Sequence, residues 1–399
     1  MSIDKLIEIS RFYGSNSEFI LAGGGNTSFK DKDTLVVKAS GTSLAAADAD
    51  SFVKMDRHAL GAIWEKTYPL SSDEREKDVL ADLMAAGKEG ADGIAKRPSV
   101  EALLHDIIPF SFVVHLHPAL INGLCCSVNG ETAAKEILGE KILWIPSTNP
   151  GYILSLLVKT KLSEYYAKYR ENAQIILLEN HGIFAGADTA GSVKNIYDDA
   201  MAKISAKIKR KPDFSDEIRI SCEELAHYAT EFPAHTALAV QGSGGKEDLF
   251  PARKEIMQTI KELSAFCCYM TSKEVNFYIK DRESFYPLSS AFTPDHIVYA
   301  GSDPLFINAD TPEDVRGEWE RHTKKTGRNP KIVAVRNTGV FSAAASAKAA
   351  GFALDLFKDS IKVAVFSESF GGPLFMTKDK IDFINNWEVE RFRSSVSTK

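Results

Sequence analysis

The residues best equipped for chemistry begin with His115 and His117 in the run FVVHLHP, which reads as a β-strand rich in branched apolar side chains. Strand side chains alternate faces, so both imidazoles lie on one side with roughly 7 Å of rise between them, close enough to converge on one ion. A pair of this kind also occurs where ordinary hydrogen bonds satisfy two histidines, so it needs a further donor. His181 supplies one from ENHG, at a tight turn after the apolar run IILL. Three imidazoles leave a coordination position open, as expected of a catalytic rather than a structural zinc site. Imidazole ligation favours zinc and also suits other divalent transition metals. His58, His105, His227, His235, His296 and His322 lack comparable partners and read as structural or surface residues.

Two further segments carry polar groups of use to a ligand. Gly23, Gly24, Gly25, Asn26, Thr27 and Ser28, and later Ser40, Gly41 and Thr42, would expose backbone N–H groups and hydroxyls suited to an oxyanion. Taken alone, such segments are more often plain turns. Neither fits a P-loop or a dinucleotide-binding glycine motif in context. Glu101 opens a helix-like stretch, EALLHDIIPF, with Ser99 as its cap. On the residues alone, its ordinary role is to complement the helix dipole.

These groups must be held by regular elements. An opening helix precedes two short strand-like runs across LAGGGNTSFKDKDTLVVKASGTSL; SFVVHLHP and AQIILLENHGIFAG are further β-rich runs, and Gly191 to Lys211 has helical apolar spacing. Pro212, after the basic run KIKRK, places a domain break near residues 211 to 218. A chain of 399 residues predicts two domains, 1–213 and 214–399. With 44% hydrophobic and 26% charged residues and a net charge of -6, the chain is ordinary globular material with no affinity for nucleic acid implied. The N-terminal segment has no signal-peptide pattern, and no window is long and apolar enough to span a membrane, so a cytoplasmic protein is expected. Five cysteines, with Cys125/Cys126 and Cys267/Cys268 adjacent in apolar surroundings, read as reduced, buried thiols.

The second half echoes the first. Ile175 to Phe184 (IILLENHGIF) and Ile332 to Phe341 (IVAVRNTGVF) share a pattern of apolar run, Asn, one residue, Gly, apolar, Phe, and each precedes a helix-like stretch. A duplicated unit is one reading and chance similarity the other. If duplicated, the second copy has Thr338 where the first has His181.

GGGNTS, ASGT, RPSVE, HLHP and ENHG, in this order and spacing, resemble the class II aldolase/adducin family over residues 15 to 210. The chain is most similar to the rhamnulose-1-phosphate aldolase-like domain found fused to a short-chain dehydrogenase. Residues 290 to 391, including TPDHIVYAG and INNWEVERFR, are similar to the region after the aldolase domain there, and a chain without the dehydrogenase domain is expected. The resemblance implies a three-layer α/β/α sandwich around a mixed, mostly antiparallel sheet, followed by a second, degenerate domain of similar type lacking the metal ligands. It implies a metal, zinc first, on His115, His117 and His181, and Glu101 as catalytic acid/base. Asn26, Thr27, Ser40, Gly41 and Ser99 are then the substrate-phosphate residues. Two positions depart from the pattern: Val100 replaces a second serine, and Ser147 stands where relatives often carry tyrosine.

The implied reaction is reversible cleavage of a phosphorylated ketose such as L-rhamnulose 1-phosphate to dihydroxyacetone phosphate and a short aldehyde, in a homo-oligomer. Alternatives on the same site are pentulose-phosphate 4-epimerisation and decarboxylation of an oxo-acid phosphate; a non-catalytic adducin-like module would lack the histidine cluster. A separate dehydrogenase acting on the aldehyde is a further expected partner.

Overall fold

The computed structural model describes residues 2–88, 96–221, 223–224, 250–308 and 311–388. His227, His235 and the end of INNWEVERFR lie outside the described residues. Two compact units share the chain. Residues up to Arg210 are rejoined by those from Phe366 onward, and Lys211–Val365 form the other unit.

The first unit is built on seven strands: β1 (Asn26–Lys30), β2 (Thr34–Lys38), β3 (Phe52–Asp56), β4 (Phe112–Leu116), β5 (Leu143–Ile145), β6 (Ile175–Leu178) and β7 (Gly182–Ala187). They run in the order β3-β2-β1-β4-β7-β6-β5, and all neighbours are antiparallel except β5 and β6. The chain is thus mixed α/β, as expected. The two-residue period of β4 divides the core. Val114 and Leu116 pack with Leu6, Ile9, Ile121, Val193 and Tyr197, from helices on one face. Val113 packs with Leu104, Leu154, Val158 and Phe184 on the other. Helices therefore cover both faces of the sheet, giving the three layers.

The second unit has strands β8 (Ile218–Ile220), β9 (Phe266–Thr271), β10 (Leu305–Ile307), β11 (Ile332–Val335) and β12 (Gly339–Ala344), in the order β8-β9-β12-β11-β10. Only β10 and β11 are parallel. This is the arrangement of β1-β4-β7-β6-β5. The echo extends to backbone conformation, because Asn180 (φ 57°) and Asn337 (φ 54°) both turn through the left-handed region between the paired strands. Asparagine tolerates that region better than most side chains.

The first junction lies between Arg210 and Lys211, and the second, near residue 366, has no sequence signal. There the chain passes between units within one uninterrupted helix, Ala347–Ser367, with no proline or linker-like run at the crossing. Among the described residues no helix is long and apolar enough to cross a membrane.

Candidate metal centre

β4 lies in the middle of the first sheet and carries His115 at a fully buried position, paired with Asn26 of β1 on one side and Phe184 of β7 on the other. Phe184 stacks on the imidazole, ring centroids 4.0 Å apart and planes within 14°. His117 follows immediately after the strand. His181 comes from the turn between β6 and β7, where its N–H donates to the Leu178 carbonyl (3.2 Å) and the left-handed Asn180 redirects the chain. Glycine is required beside it: a Cβ on Gly182 would lie 2.6 Å from the Leu116 carbonyl and 2.7 Å from the His117 ring.

The three imidazoles converge. His117 Nε2 lies 2.9 Å from His115 Nε2, which lies 3.4 Å from His181 Nε2. His115 Nδ1 donates to the Ile183 carbonyl at 3.0 Å, which leaves the Nε2 lone pair directed at the other two rings. Two imidazole nitrogens on a tetrahedral zinc, at bond lengths of about 2.05 Å, sit about 3.3 Å apart. The donor set and its spacing fit a divalent ion of that size.

Glu101 completes the cluster. It is buried, and its Oε2 accepts a 2.6 Å hydrogen bond from Asn26 Nδ2. Its Oε1 has no hydrogen-bond partner, although it is buried 3.5 Å from His115 Nε2 and 3.6 Å from His181 Nε2. A buried carboxylate oxygen left in this state is costly unless something electropositive, or a proton, comes to it. Its position beside three converging lone pairs marks where that partner belongs.

The remaining expected residues divide between places. Ser99 is buried and its Oγ accepts from Glu101 N (3.2 Å), so it braces the turn that presents Glu101. The helix is Ala102–Ile107, with Glu101 itself at the cap position instead of Ser99. Ser40 N donates to the Arg97 carbonyl (2.8 Å) and Gly41 turns with φ 83°, so this loop runs beside the 97–99 segment. Thr27 is a correction. GGGNTS ends in strand β1 and not in a loop, so the pleat sends Asn26 and Ser28 to one face and Thr27 to the other. There its buried hydroxyl bonds Ser10 Oγ at 2.7 Å, away from Glu101.

His105 corrects the reading of a residue without partners. It is fully buried, and its ring bonds Asn26 Oδ1 through Nε2 and Ser28 Oγ through Nδ1 (2.7 Å). Burial, with the neighbouring His115 and Lys30 adding to it, pushes the imidazole well below its usual range, so it is neutral. A sequence signal existed: His105 stands four residues after Glu101, one helical turn on. His296 also has partners, Asp359 (3.2 Å) and Thr293 (3.0 Å), in the second unit.

Around the central strand of this α/β sheet, His115, His117 and His181 form a group that could hold a metal ion, with the buried Glu101 beside it. Residues 4–198 match the model of the Class II Aldolase and Adducin N-terminal domain, and this part of the chain belongs to that family. The chain is 30% identical over 197 residues to the uncharacterized oxidoreductase YuxG of Bacillus subtilis (strain 168), a match covering 47% of this chain and 27% of that protein. It therefore spans about a quarter of that relative's length. Among solved structures, the N-terminal class II aldolase domain of a conserved Thermoplasma acidophilum protein is similar at 26% identity and TM-score 0.42, covering 51% of this chain and 92% of that one. L-fuculose-1-phosphate aldolase of Thermus thermophilus is similar at 18% identity and TM-score 0.32, covering 50% and 92%.

Proposed function

We propose that the first unit is a metal-dependent class II aldolase that cleaves a phosphorylated deoxyketose, L-rhamnulose 1-phosphate first among candidates, to dihydroxyacetone phosphate and a short aldehyde. The observation that carries the reading is Glu101 Oε1, buried without a hydrogen-bond partner 3.5 Å and 3.6 Å from the Nε2 atoms of His115 and His181. His115, His117 and His181 would hold the ion, zinc being the first expectation among divalent transition metals. Bound there, it would supply the Lewis acidity that stabilises negative charge on the substrate oxygens as the carbon–carbon bond breaks.

The chain's own residues supply the rest. As the carbon–carbon bond breaks, its electron pair stays on the ketose fragment and the hydroxyl proton of the carbon that becomes the aldehyde leaves to solvent water; Glu101, as the acid, delivers a proton from Oε1 to the vacated carbon, and in condensation both transfers run in reverse. Ser99 Oγ and the Ser40–Gly41 loop are the proposed phosphate residues, and Asn26 supports Glu101. Phe184 and the surrounding apolar core keep bulk water from the back of the site. The same arrangement serves epimerase and decarboxylase chemistry, which the choice of substrates in the assay separates.

The second unit is proposed to be a duplicated copy without a metal site. The strand registers support this, because Tyr269 pairs with Phe341 as His115 pairs with Phe184. Tyr269 and Thr271 on β9 then stand for His115 and His117, and Thr338 for His181. The Tyr269 hydroxyl donates to the Thr338 carbonyl at 2.7 Å, across the place where metal ligands would meet.

The test is metal analysis joined to dihydroxyacetone phosphate release from a panel of ketose 1-phosphates. His115→Ala should lose the metal and all activity. Glu101→Gln should retain one metal per chain while turnover falls by about 10²–10⁴-fold. Undiminished turnover in Glu101→Gln would remove the proposed acid/base, and a metal-loaded protein that releases nothing from any ketose would transfer the reading to epimerisation or decarboxylation.

A further inference from the structure

We propose that His105 is a positioning residue that sets the orientation of Glu101 through the side-chain amide of Asn26. Its catalytic consequence rests on the aldolase reading above, while the geometry does not.

The arrangement follows from two short periodicities. Asn26 and Ser28 are two residues apart on β1 and therefore share a face, and His105 sits on the helix that packs against that face. Its backbone N–H donates to the Glu101 carbonyl at 3.1 Å, which fixes its ring one turn from the carboxylate. The side chains form one line: Ser28 Oγ, the His105 ring, the Asn26 amide, Glu101 Oε2.

Each link in the line has a determined direction. A carboxylate oxygen only accepts, so Asn26 must turn its NH2 group toward Glu101, as the 2.6 Å bond from Nδ2 shows. Asn26 Oδ1 is then the atom facing His105, and a carbonyl oxygen also only accepts. His105 Nε2 must carry the hydrogen of the neutral ring, which leaves Nδ1 to accept from the Ser28 hydroxyl at 2.7 Å. Flipping the Asn26 amide would set oxygen against carboxylate and NH2 against N–H, two repulsive contacts in a buried place. His105 thus prevents the flip. Held by Oε2, Glu101 directs Oε1 at His115 and His181, 3.5 and 3.6 Å away.

A packing role for the ring is separable from this one. His105 meets Phe184 edge-on with centroids 5.5 Å apart, a contact that phenylalanine would keep while removing the hydrogen bonds. His105→Phe therefore tests the polar role, and His105→Gln, whose amide can still donate to Asn26 Oδ1, tests rescue. The first readout is the crystal structure of each zinc-loaded variant. In His105→Phe the Glu101 carboxylate should leave Asn26, and in His105→Gln it should stay. The second readout is exchange of the carbon-bound proton of dihydroxyacetone phosphate in D2O, which needs no aldehyde. Its kcat should fall about 10–100-fold in His105→Phe, with KM and zinc content unchanged, and recover to within about five-fold of wild type in His105→Gln. Should His105→Phe not fold, Ser28→Ala, which leaves the ring in place, frees its tautomer and so loosens its hold on Asn26 Oδ1, should lower exchange several-fold. A Glu101 that keeps its Asn26 bond in His105→Phe, or full exchange in Ser28→Ala, overturns the proposal. Wild-type protein that exchanges no proton would sink the aldolase reading alone, since the crystallographic comparison still decides the role of His105.

Discussion

Lys30 lies on the same face of β1 as Asn26 and Ser28, buried, with its Nζ donating to the His105 carbonyl at 2.6 Å. Burial is the chief reason its pKa drops from 10.5 to about 7; Arg57 adds to the drop and Asp106 and Asp188 oppose it. Three and a half pH decades at about 1.36 kcal/mol each is on the order of 5 kcal/mol. The sign is set by which state holds more protons. Above pH 10.5 the lysine is neutral in both folded and unfolded chains. Between 10.5 and about 7 the unfolded chain carries the extra proton, so stability falls as pH falls. Below about 7 both are protonated and the difference stays constant. Lys30→Met removes this titration and one hydrogen bond worth about 1 kcal/mol. The first unit should gain about 2–4 kcal/mol at pH 7, and the gain should vanish near pH 10.5. Urea unfolding read at the buried Trp144, with Trp64, Trp319 and Trp387 replaced by phenylalanine, isolates that unit from the other. Parallel stability curves between pH 7 and 10, or a Lys30→Met protein less stable at pH 7, would refute the argument.

Two further outcomes can be checked on the same preparations. Gly25→Ala should destabilise the first unit by about 2–3 kcal/mol and weaken metal binding, because Gly25 has φ 65° and its Cβ would lie 2.4 Å from Ile20 Cδ1 and 2.9 Å from the His115 carbonyl; urea unfolding and zinc titration measure both effects. Tyr269→Phe should cost the second unit about 1 kcal/mol through loss of its 2.7 Å bond to Thr338, while zinc stays at one per chain. A second bound zinc in that variant would contradict the proposed loss of the metal site from that unit.

The three histidines were legible because their residue type is rare and their settings, one strand and one turn, are local. The fold class followed from the ordered motifs. What stayed hidden was set by the strand pleat and by partners distant in sequence. Asn26 and Glu101 are 75 residues apart, so nothing local could show that the asparagine holds the carboxylate. Thr27 was misplaced because GGGNTS reads as a glycine loop, whereas its last residues already alternate faces. His105 carried a signal in its helical spacing from Glu101, but the spacing acquires meaning only when β1 brings Asn26 and Ser28 to it. The relation of Tyr269 to His115 rests on register alone, since the two strands share little beyond their apolar pattern.

The segment beginning at Phe366 returns to the first unit and bonds to it closely: Asn129 N donates to the Phe370 carbonyl (3.0 Å) and Leu374 N to the Cys126 carbonyl (2.7 Å). Asn180, which turns the chain into His181, donates from Nδ2 to the Leu374 carbonyl at 2.7 Å, across a separation of 194 residues. During synthesis at about 5–20 residues per second, Leu374 emerges roughly 10–40 s after Asn180. Residues 211–365 are translated in the interval, so the inserted unit can fold on the ribosome while the loop carrying His181 still waits for its anchor. The loop carrying His181 is thus anchored only after the inserted unit has been made, so any ion gathered by the three histidines would bind a loop completed long after its own residues were translated.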